Sequence, residues 1–213
     1  MSLTLEKWTK SVIKEDEYKK YLSNDEDFIN DSIIVEKINK NTDTSKSKIK
    51  DILKKSLEIK TLNPDEVATL LNVKDESILE EMYDTASKIK KKVYDNRIVT
   101  FAPLYCGNIC VNNCLYCGFR RDNKDEKRNV LTMDQIKKEV EVLTGEIGHK
   151  RLIVVYGEHP STDINYMAQT IKTIYDVKTK TKNGYGNIRR VNINAAPLSV
   201  KDLTTLYKSG IGT

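Results

Sequence analysis

The second half of the chain alternates between short apolar runs and amphipathic helical patterns, and this alternation limits the possible folds more than any other feature. Continuous apolar runs over residues 98–105, 152–156 and 188–196 are typical of strands that are buried on both faces. A helical pattern follows each run, so we expect parallel strands joined by crossover helices. The sequence therefore predicts an α/β fold in which helices cover a parallel sheet.

Capping residues mark the helices of this half. Thr132 and Gln135 have the spacing of a capping box, and Ser199 and Asp202 have the same spacing at the start of the last helix.

A complete (β/α) barrel needs about 250 residues, and fewer than half as many follow Arg97. We therefore predict about three strand–helix units, which form the N-terminal part of a TIM-type barrel in a larger enzyme.

Residues 1–97 have helical patterns joined by polar links, and no spacing typical of a catalytic motif. Apolar residues recur at helical spacing over 46–60, Asn63 followed by Pro64 predicts the start of a second helix, and Asp75 is placed to cap a third. We expect residues 1–97 to form an N-terminal helical extension and residues 98–213 to form the barrel portion.

The composition and charge exclude several classes of protein. Charged residues make up 31 % of the chain, and no run of about 18 uncharged apolar residues could span a membrane. No secretory signal is recognisable, because Lys7, Lys10 and Lys14 interrupt the early apolar stretches. The net charge is +5, and aromatic residues are not interleaved with the basic residues as they are in nucleic-acid-binding segments. We therefore expect a solvated surface rather than a nucleic-acid partner. A cytoplasmic protein without membrane contact is predicted.

All four cysteines lie within twelve residues after the first predicted strand: Cys106, Cys110, Cys114 and Cys117. Parallel α/β proteins place their active sites at this end of the strands. Disulfides would be strained at such short spacing and need an oxidising compartment. Structural zinc usually recruits two cysteine pairs separated by a longer loop. Inert core thiols would need an apolar segment, whereas this loop is rich in Asn and Gly.

The spacing Cys110-x3-Cys114-x2-Cys117 favours an iron–sulfur cluster, which needs closely spaced thiolates. Three thiolates would bind three irons of a [4Fe–4S] cluster and leave the fourth iron open, which indicates chemistry rather than electron transfer alone. Cys106 lies outside this spacing, and we predict that it is not a ligand. A four-cysteine zinc module with a structural or interaction role stays the alternative.

A Cys-x3-Cys-x2-Cys loop after the first strand of a parallel barrel resembles the signature of the radical S-adenosylmethionine (SAM) superfamily. The segments Phe101–Tyr105, Cys110–Asn123 and Arg189–Ala196 resemble its tyrosine-lyase branch. That branch includes the maturases of [FeFe]-hydrogenase, to which the resemblance is closer, and the 2-iminoacetate synthases of thiamine synthesis. The resemblance implies a radical SAM barrel with a [4Fe–4S] cluster and SAM as cofactors.

The resemblance also implies roles for single residues. Tyr116 matches the aromatic residue that packs near the adenine of SAM, and Gly157 and Glu158 match the end of a Gly-Gly-Glu segment that binds the SAM amino group. Tyr156 replaces the first glycine of that segment, which weakens the expected backbone contribution. An ordinary turn with an exposed glutamate is the other interpretation of Gly157 and Glu158.

The third predicted strand alternates apolar residues with asparagines. We expect its apolar side chains to face the helices and Asn192 and Asn194 to face the barrel interior. There, these asparagines, and Asn194 in particular, would bind SAM or substrate, or Asn192 would instead belong to a polar layer of the barrel.

The function that the resemblance implies is a carbon–carbon lyase. In that branch, reductive cleavage of SAM leads to hydrogen abstraction from the amino group of L-tyrosine, and the Cα–Cβ bond breaks to give p-cresol and dehydroglycine. The expected partners are L-tyrosine and an electron donor such as flavodoxin or ferredoxin. The expected role is hydrogenase maturation, with thiamine synthesis as the alternative, and no catalytic residue is assigned.

Overall fold

The computed structural model describes residues 4–24, 26 and 29–213, and the chain divides into two compact units. One unit is Tyr21–Ile98, and the other combines the residues up to Lys20 with Val99–Thr213. The division after Ile98 lies next to the boundary predicted at Arg97. The described residues before Tyr21, however, group with the barrel portion and not with the helical extension.

The described residues contain nine α-helices and five β-strands. The helices are α1 (Leu5–Val12), α2 (Glu15–Tyr18), α3 (Asp31–Lys40), α4 (Lys46–Leu57), α5 (Pro64–Leu71), α6 (Glu76–Tyr94), α7 (Met133–Glu141), α8 (Ile164–Asp176) and α9 (Val200–Lys208). The strands are β1 (Ala102–Gly107), β2 (Arg151–Tyr156), β3 (Thr179–Thr181), β4 (Gly184–Gly186) and β5 (Arg190–Asn194). None of these helices is long and apolar enough to cross a bilayer.

Three strands form a parallel sheet in the order β1–β2–β5. The register places Leu104 beside Val154, and Val154 beside Ile193. Helix α7 precedes β2 in the chain, α8 precedes β5, and α9 follows β5. The predicted α/β fold with three parallel strand–helix units is therefore confirmed. The antiparallel hairpin β3–β4 was not predicted, because its strands have three residues each and contain no apolar run.

The core of this unit lies between the sheet and its helices. Leu104, Val154 and Val191 are at most 5 % exposed and belong to one cluster with Ile136 of α7 and Ile171 of α8. Complete burial of each such side chain contributes about 1.5–3 kcal/mol. The intervening residues of each strand lie on the opposite face of the sheet, and this alternation gives the strand ends a helix-facing side and an inner side.

The first strand begins later than the apolar pattern predicted. Ile98 is 85 % exposed, whereas β1 begins at Ala102 and continues through Cys106 to Gly107. Apolar character alone extended the prediction toward residue 98, although those side chains do not reach the core. Cys106 therefore lies in the strand and not in the loop after it. The third parallel strand, Arg190–Asn194, is likewise shorter than the predicted run 188–196.

The predicted helix starts are confirmed. A capping box at Asn63 caps the N-terminus of α5, and Thr132 and Gln135 form a second capping box at the N-terminus of α7. At α9, Ser199 accepts a hydrogen bond from the backbone of Asp202, but the Asp202 carboxylate accepts from the Ser199 hydroxyl. This start is a cap without the second bond of a box.

The helical unit Tyr21–Ile98 has a small apolar core of its own. Ile49 and Leu53 of α4 pack with Val73 and with Ile78 of α6. Ile49, Leu53 and Ile78 belong to the apolar helical patterns that the sequence predicts.

Candidate active site

A loop of residues 108–129, which we call the cysteine loop, joins the carboxyl end of β1 to the segment before α7. Its two ends are bonded to each other. The backbone N–H of Asn108 donates to the Asn129 carbonyl at 3.1 Å, and the Asn108 side chain accepts from the Asn129 N–H at 2.7 Å. The same side chain donates to the Lys127 carbonyl at 2.8 Å. One asparagine therefore closes the base of the loop.

Arg128 holds the inside of the cysteine loop. Its guanidinium group donates to four backbone carbonyls at 2.6–2.9 Å, those of Asn108, Phe119, Arg120 and Asn123. Asn108 precedes the cysteine motif and the other three residues follow it. A half-buried arginine thus connects the two flanks of the motif through charge-assisted hydrogen bonds.

The three cysteines of the motif lie on the outer part of this loop. Cys110 and Cys117 are half-buried, Cys114 is exposed, and all three are free thiols. The Cys117 N–H donates to the Cys114 carbonyl at 3.0 Å, so the end of the motif is a tight turn. Tyr116, predicted to lie near the adenine of SAM, is 93 % exposed, and Leu115 beside it is 90 % exposed.

The three thiols do not converge on one point. Among the residues that the structure describes, no group of three Cys, His, Asp or Glu side chains could hold a single metal ion. A [4Fe–4S] cluster does not require such convergence, because each thiolate binds a different iron of the cube. Three free thiols on one short loop are therefore a donor set that fits such a cluster.

Cys106 has a different environment from the other cysteines. Its side chain is fully buried on the helix-facing side of β1, and burial raises the pKa of the thiol to about 12. A four-thiol zinc site would have to bring Cys106 and the exposed Cys114 to one ion. Because one thiol lies in the core and the other at the surface, the geometry argues against the zinc alternative.

Gly157 follows β2 and lies directly beneath the cysteine loop. Its N–H donates to the Gly107 carbonyl at 2.7 Å. A Cβ atom at this position would lie 2.2 Å from the carbonyl oxygen of Ile109, so only glycine allows the loop to approach this closely. The structure therefore shows a close approach of the cysteine loop at this glycine.

Tyr156, the residue in place of the first glycine of the motif, points away from the loop. Its ring is buried among the core residues, with its centroid 6.1 Å from that of Tyr166 in an edge-on contact, and burial raises the pKa of its hydroxyl. The larger side chain therefore leaves the loop side of the turn clear.

Glu158 is bonded to the cysteine loop through both its backbone and its side chain. Its carbonyl accepts from the Val111 N–H at 2.9 Å, and its carboxylate accepts a short hydrogen bond from the side-chain amide of Asn112. Both Asn112 and Glu158 are half-buried. The structure thus brings Glu158 against the cysteine motif, although the two are more than 40 residues apart in the sequence.

Glu158 also borders a cleft, which we call the Glu158 cleft. It consists of two adjoining cavities of about 410 and 190 Å³ that share four lining residues: Val12, Glu158, Pro197 and Leu198. Helix α1 contributes Val12 and Trp8 to this wall, and the Glu17 carboxylate of α2 accepts from the Val200 N–H at 3.0 Å. The amphipathic pattern of residues 5–12 was the signal that could have placed α1 against this unit.

His159 lies in the second cavity of the Glu158 cleft. Its Nδ1 atom accepts from the Ser161 N–H at 3.1 Å, and burial lowers the pKa of the imidazole. Asn194, by contrast, is exposed at the carboxyl end of β5, and it is not among the described residues that line the cleft. The structure therefore brings Glu158 against the cysteine loop, and it places Asn194 at the end of β5, in register with Val155 of β2.

Comparison with known proteins assigns the family. The sequence pattern of the Radical SAM superfamily matches residues 104–210, which is half of the chain. The chain belongs to the radical SAM superfamily. The matched region of this radical SAM chain begins in β1 and includes the cysteine loop, Glu158 and β5.

The solved structures that resemble this radical SAM chain include two hydrogenase maturases. A crystal structure of HydG, a maturase of the [FeFe]-hydrogenase, is 48 % identical, covers 87 % of this chain and superposes with a TM-score of 0.78. HydG from Carboxydothermus hydrogenoformans is 35 % identical, covers 85 % of this chain and has a TM-score of 0.69.

A curated relative belongs to the other predicted group. The 2-iminoacetate synthase of Salmonella typhimurium is 24 % identical over 151 residues, which are 67 % of this chain. The resemblance to the hydrogenase maturases and then to 2-iminoacetate synthase is therefore confirmed. The chain spans 40 % of the length of each of these three proteins.

Proposed function

We propose that this chain provides the cluster-binding and SAM-binding part of a radical SAM lyase that cleaves the Cα–Cβ bond of L-tyrosine to p-cresol and dehydroglycine. The observation that carries the proposal is the 48 % identity to HydG over 87 % of the chain. The loop geometry supports it, because three accessible thiols lie on a loop held by Arg128.

Cys110, Cys114 and Cys117 would hold a [4Fe–4S] cluster as thiolates. When bound, this cluster supplies the electron for reductive cleavage of SAM and so starts hydrogen abstraction from the substrate. The cysteine loop is held in place by protein contacts, because hydrogen bonds of Arg128 and Asn108 fix its two flanks. Cys106 takes no part, because it is buried and protonated.

Glu158 would accept hydrogen bonds from the amino group of SAM. The backbone carbonyl of Glu158 already accepts from Val111, and that of Gly157 accepts from the Thr162 hydroxyl at 2.7 Å. The carboxylate therefore offers the strongest acceptor at this turn for an ammonium group. Tyr116, close to two of the cysteines in sequence, is proposed to contact the adenine, and Asn194 to contact SAM or substrate from the strand end.

The Glu158 cleft would shelter the reacting groups from water. Its walls combine the apolar side chains of Trp8, Val12 and Leu198 with polar side chains, among them the carboxylates of Glu17, Glu158, Asp163 and Asp202. A cleft with apolar walls and convergent polar groups is typical of small-molecule sites. Exclusion of water also protects a reactive radical from side reactions.

Hydrogenase maturation is the proposed role of the whole protein, in the cytoplasm and with flavodoxin or ferredoxin as electron donor. It is favoured over the thiamine pathway because the identity to HydG is 48 %, against 24 % to the 2-iminoacetate synthase of Salmonella typhimurium. Both roles begin with the same tyrosine cleavage, so the first steps are common to them.

The test is a set of four Cys→Ser variants, reconstituted with iron and sulfide under anaerobic conditions. Substitution of Cys110, Cys114 or Cys117 should abolish iron binding and SAM cleavage, whereas Cys106→Ser should keep both. The protein with intact cysteines should also convert L-tyrosine to p-cresol, measured by chromatography. Equal loss of metal in all four variants, or retention of stoichiometric zinc, would contradict the cluster. SAM cleavage without p-cresol in the presence of tyrosine would contradict the lyase alone.

A further inference from the structure

Asn112 is the side chain that connects the cysteine motif to Glu158. It lies between Cys110 and Cys114, and its amide donates to the Glu158 carboxylate. The backbone of Asn112 is itself fixed, because its carbonyl accepts from the Arg121 N–H at 2.7 Å. The direction of the amide is therefore set by the loop that would hold the cluster.

The Glu158 carboxylate has a neutral partner and no cationic one. Among the residues that the structure describes, no Lys, Arg or His forms an ion pair with Glu158. An amide donor fixes the direction of one carboxylate oxygen without cancelling the negative charge. The remaining acceptor capacity and the full charge stay available for a cationic ligand in the Glu158 cleft.

The side-chain bond is not needed to join the loop to the turn. The Val111 N–H already donates to the Glu158 carbonyl, and the Gly157 N–H donates to the Gly107 carbonyl. These two backbone bonds would hold the turn against the loop in the absence of the Asn112 amide. The amide therefore has a separate effect, which is to orient the carboxylate.

We infer that Asn112 is a positioning residue, which orients the Glu158 carboxylate toward the amino group of SAM. The inference rests on the proposed function, because it takes SAM as the cation that Glu158 receives. It adds a residue inside the cysteine motif that acts through Glu158 and not through the cluster.

The experiment compares Asn112→Ala with Asn113→Ala in the full chain, reconstituted with iron and sulfide. Asn113 is a matched control, because its amide donates to Asp122 at 2.8 Å and not to Glu158. Equilibrium dialysis with radiolabelled SAM should give about tenfold weaker binding for Asn112→Ala, the effect expected when the misdirected Glu158 carboxylate no longer accepts one charge-assisted hydrogen bond from the SAM amino group. Asn113→Ala should bind SAM as the unsubstituted protein does, and both variants should keep the same iron content.

Two further measurements separate positioning from a structural role. In the Glu158→Ala background, Asn112→Ala should have no additional effect on SAM affinity, since it acts through the missing carboxylate. A SAM analogue without the amino group should bind equally well to the unsubstituted protein and to Asn112→Ala. A purely structural role predicts weaker binding of both SAM and the analogue.

The inference is overturned if Asn112→Ala binds SAM normally, if it loses iron as a cysteine variant does, or if its effect persists in the Glu158→Ala background. In those cases the unsubstituted protein still binds iron and SAM, so the proposed function stands. If the unsubstituted protein binds no iron or no SAM, the proposed function fails first and the inference fails with it.

Discussion

The clearest consequence of the structure concerns Arg128 and the order of the cysteine loop. In Arg128→Lys the charge is kept, but the planar group that reaches four carbonyls is replaced by a single ammonium. We expect lysine to keep about two of the four bonds. Each lost bond to a charged group is worth about 1.5–3 kcal/mol. At a half-buried site, water can replace part of the lost hydrogen bonding. We therefore use the lower value of about 1.5 kcal/mol per bond, which gives about 3 kcal/mol for two bonds.

A loss of about 3 kcal/mol raises the population of the open loop roughly 100-fold, since about 1.4 kcal/mol corresponds to a factor of ten. Amide hydrogen exchange measures this opening directly. The backbone N–H groups of Cys117 and Arg121, which are bonded within the loop, should exchange roughly 100-fold faster in Arg128→Lys. The N–H of Ile171, in the core helix α8, should exchange at the original rate.

Arg121→Lys is the matched control for this experiment. Arg121 lies in the same loop, but its side chain pairs with Asp122 at an exposed position, where ion pairs contribute about 0–1 kcal/mol. It should exchange like the original protein and take up the same amount of iron. If Arg128→Lys also exchanges at the original rate, the reasoning that Arg128 orders the cysteine loop is refuted.

Three further predictions follow from the surroundings of Glu158. Gly157→Ala should lower the free energy of unfolding by about 2 kcal/mol or more, because its Cβ would overlap the carbonyl of Ile109. Gly118→Ala, where no atom lies within 4 Å of the added Cβ, is the control, and similar melting temperatures for the two would contradict the close approach. The pKa of His159 is lowered by burial, so its contribution to stability is full above about pH 6.5 and is lost as the pH falls through the lowered pKa. Thermal melts from pH 7.5 to 5 should show this decline, and it should flatten in His159→Asn. Trp8, the only tryptophan of the chain, lines the cleft, so SAM should change its fluorescence in the reconstituted protein, and an unchanged spectrum would exclude α1 from the site.

The fold was predictable from the sequence where burial leaves a direct pattern. The apolar runs predicted the strand residues that pack against the helices, and the capping residues of α5 and α7 form the hydrogen bonds that their spacing requires. The opposite face of the sheet is more open, since Tyr105 of β1 is 57 % exposed. The start of β1 was not predictable from apolarity, because Ile98 is apolar and exposed. Whether such an apolar side chain reaches the core depends on the path of the folded backbone and not on the residue type.

The candidate site was predictable in its thiols and not in its supporting contacts. The cysteine spacing is a local pattern, because all three thiols come from one short loop. Arg128 and Asn112, by contrast, act through carbonyls and a carboxylate that only the folded backbone brings within reach. No spacing in the sequence specifies these contacts. The sequence alone therefore could not distinguish Arg128 and Asn112 from the other polar residues of the loop.

We propose that three thiolates of this chain would hold a [4Fe–4S] cluster and that SAM would be the ligand of its fourth iron. The most direct measurement is electron–nuclear double resonance on the anaerobically reconstituted and reduced chain, with SAM labelled with ¹⁵N at its amino group. A nitrogen coupling to the cluster signal is the predicted result, and it should be absent in Cys114→Ser. A cluster signal that shows no such coupling, or a protein ligand on every iron, would show that SAM is not bound to the cluster.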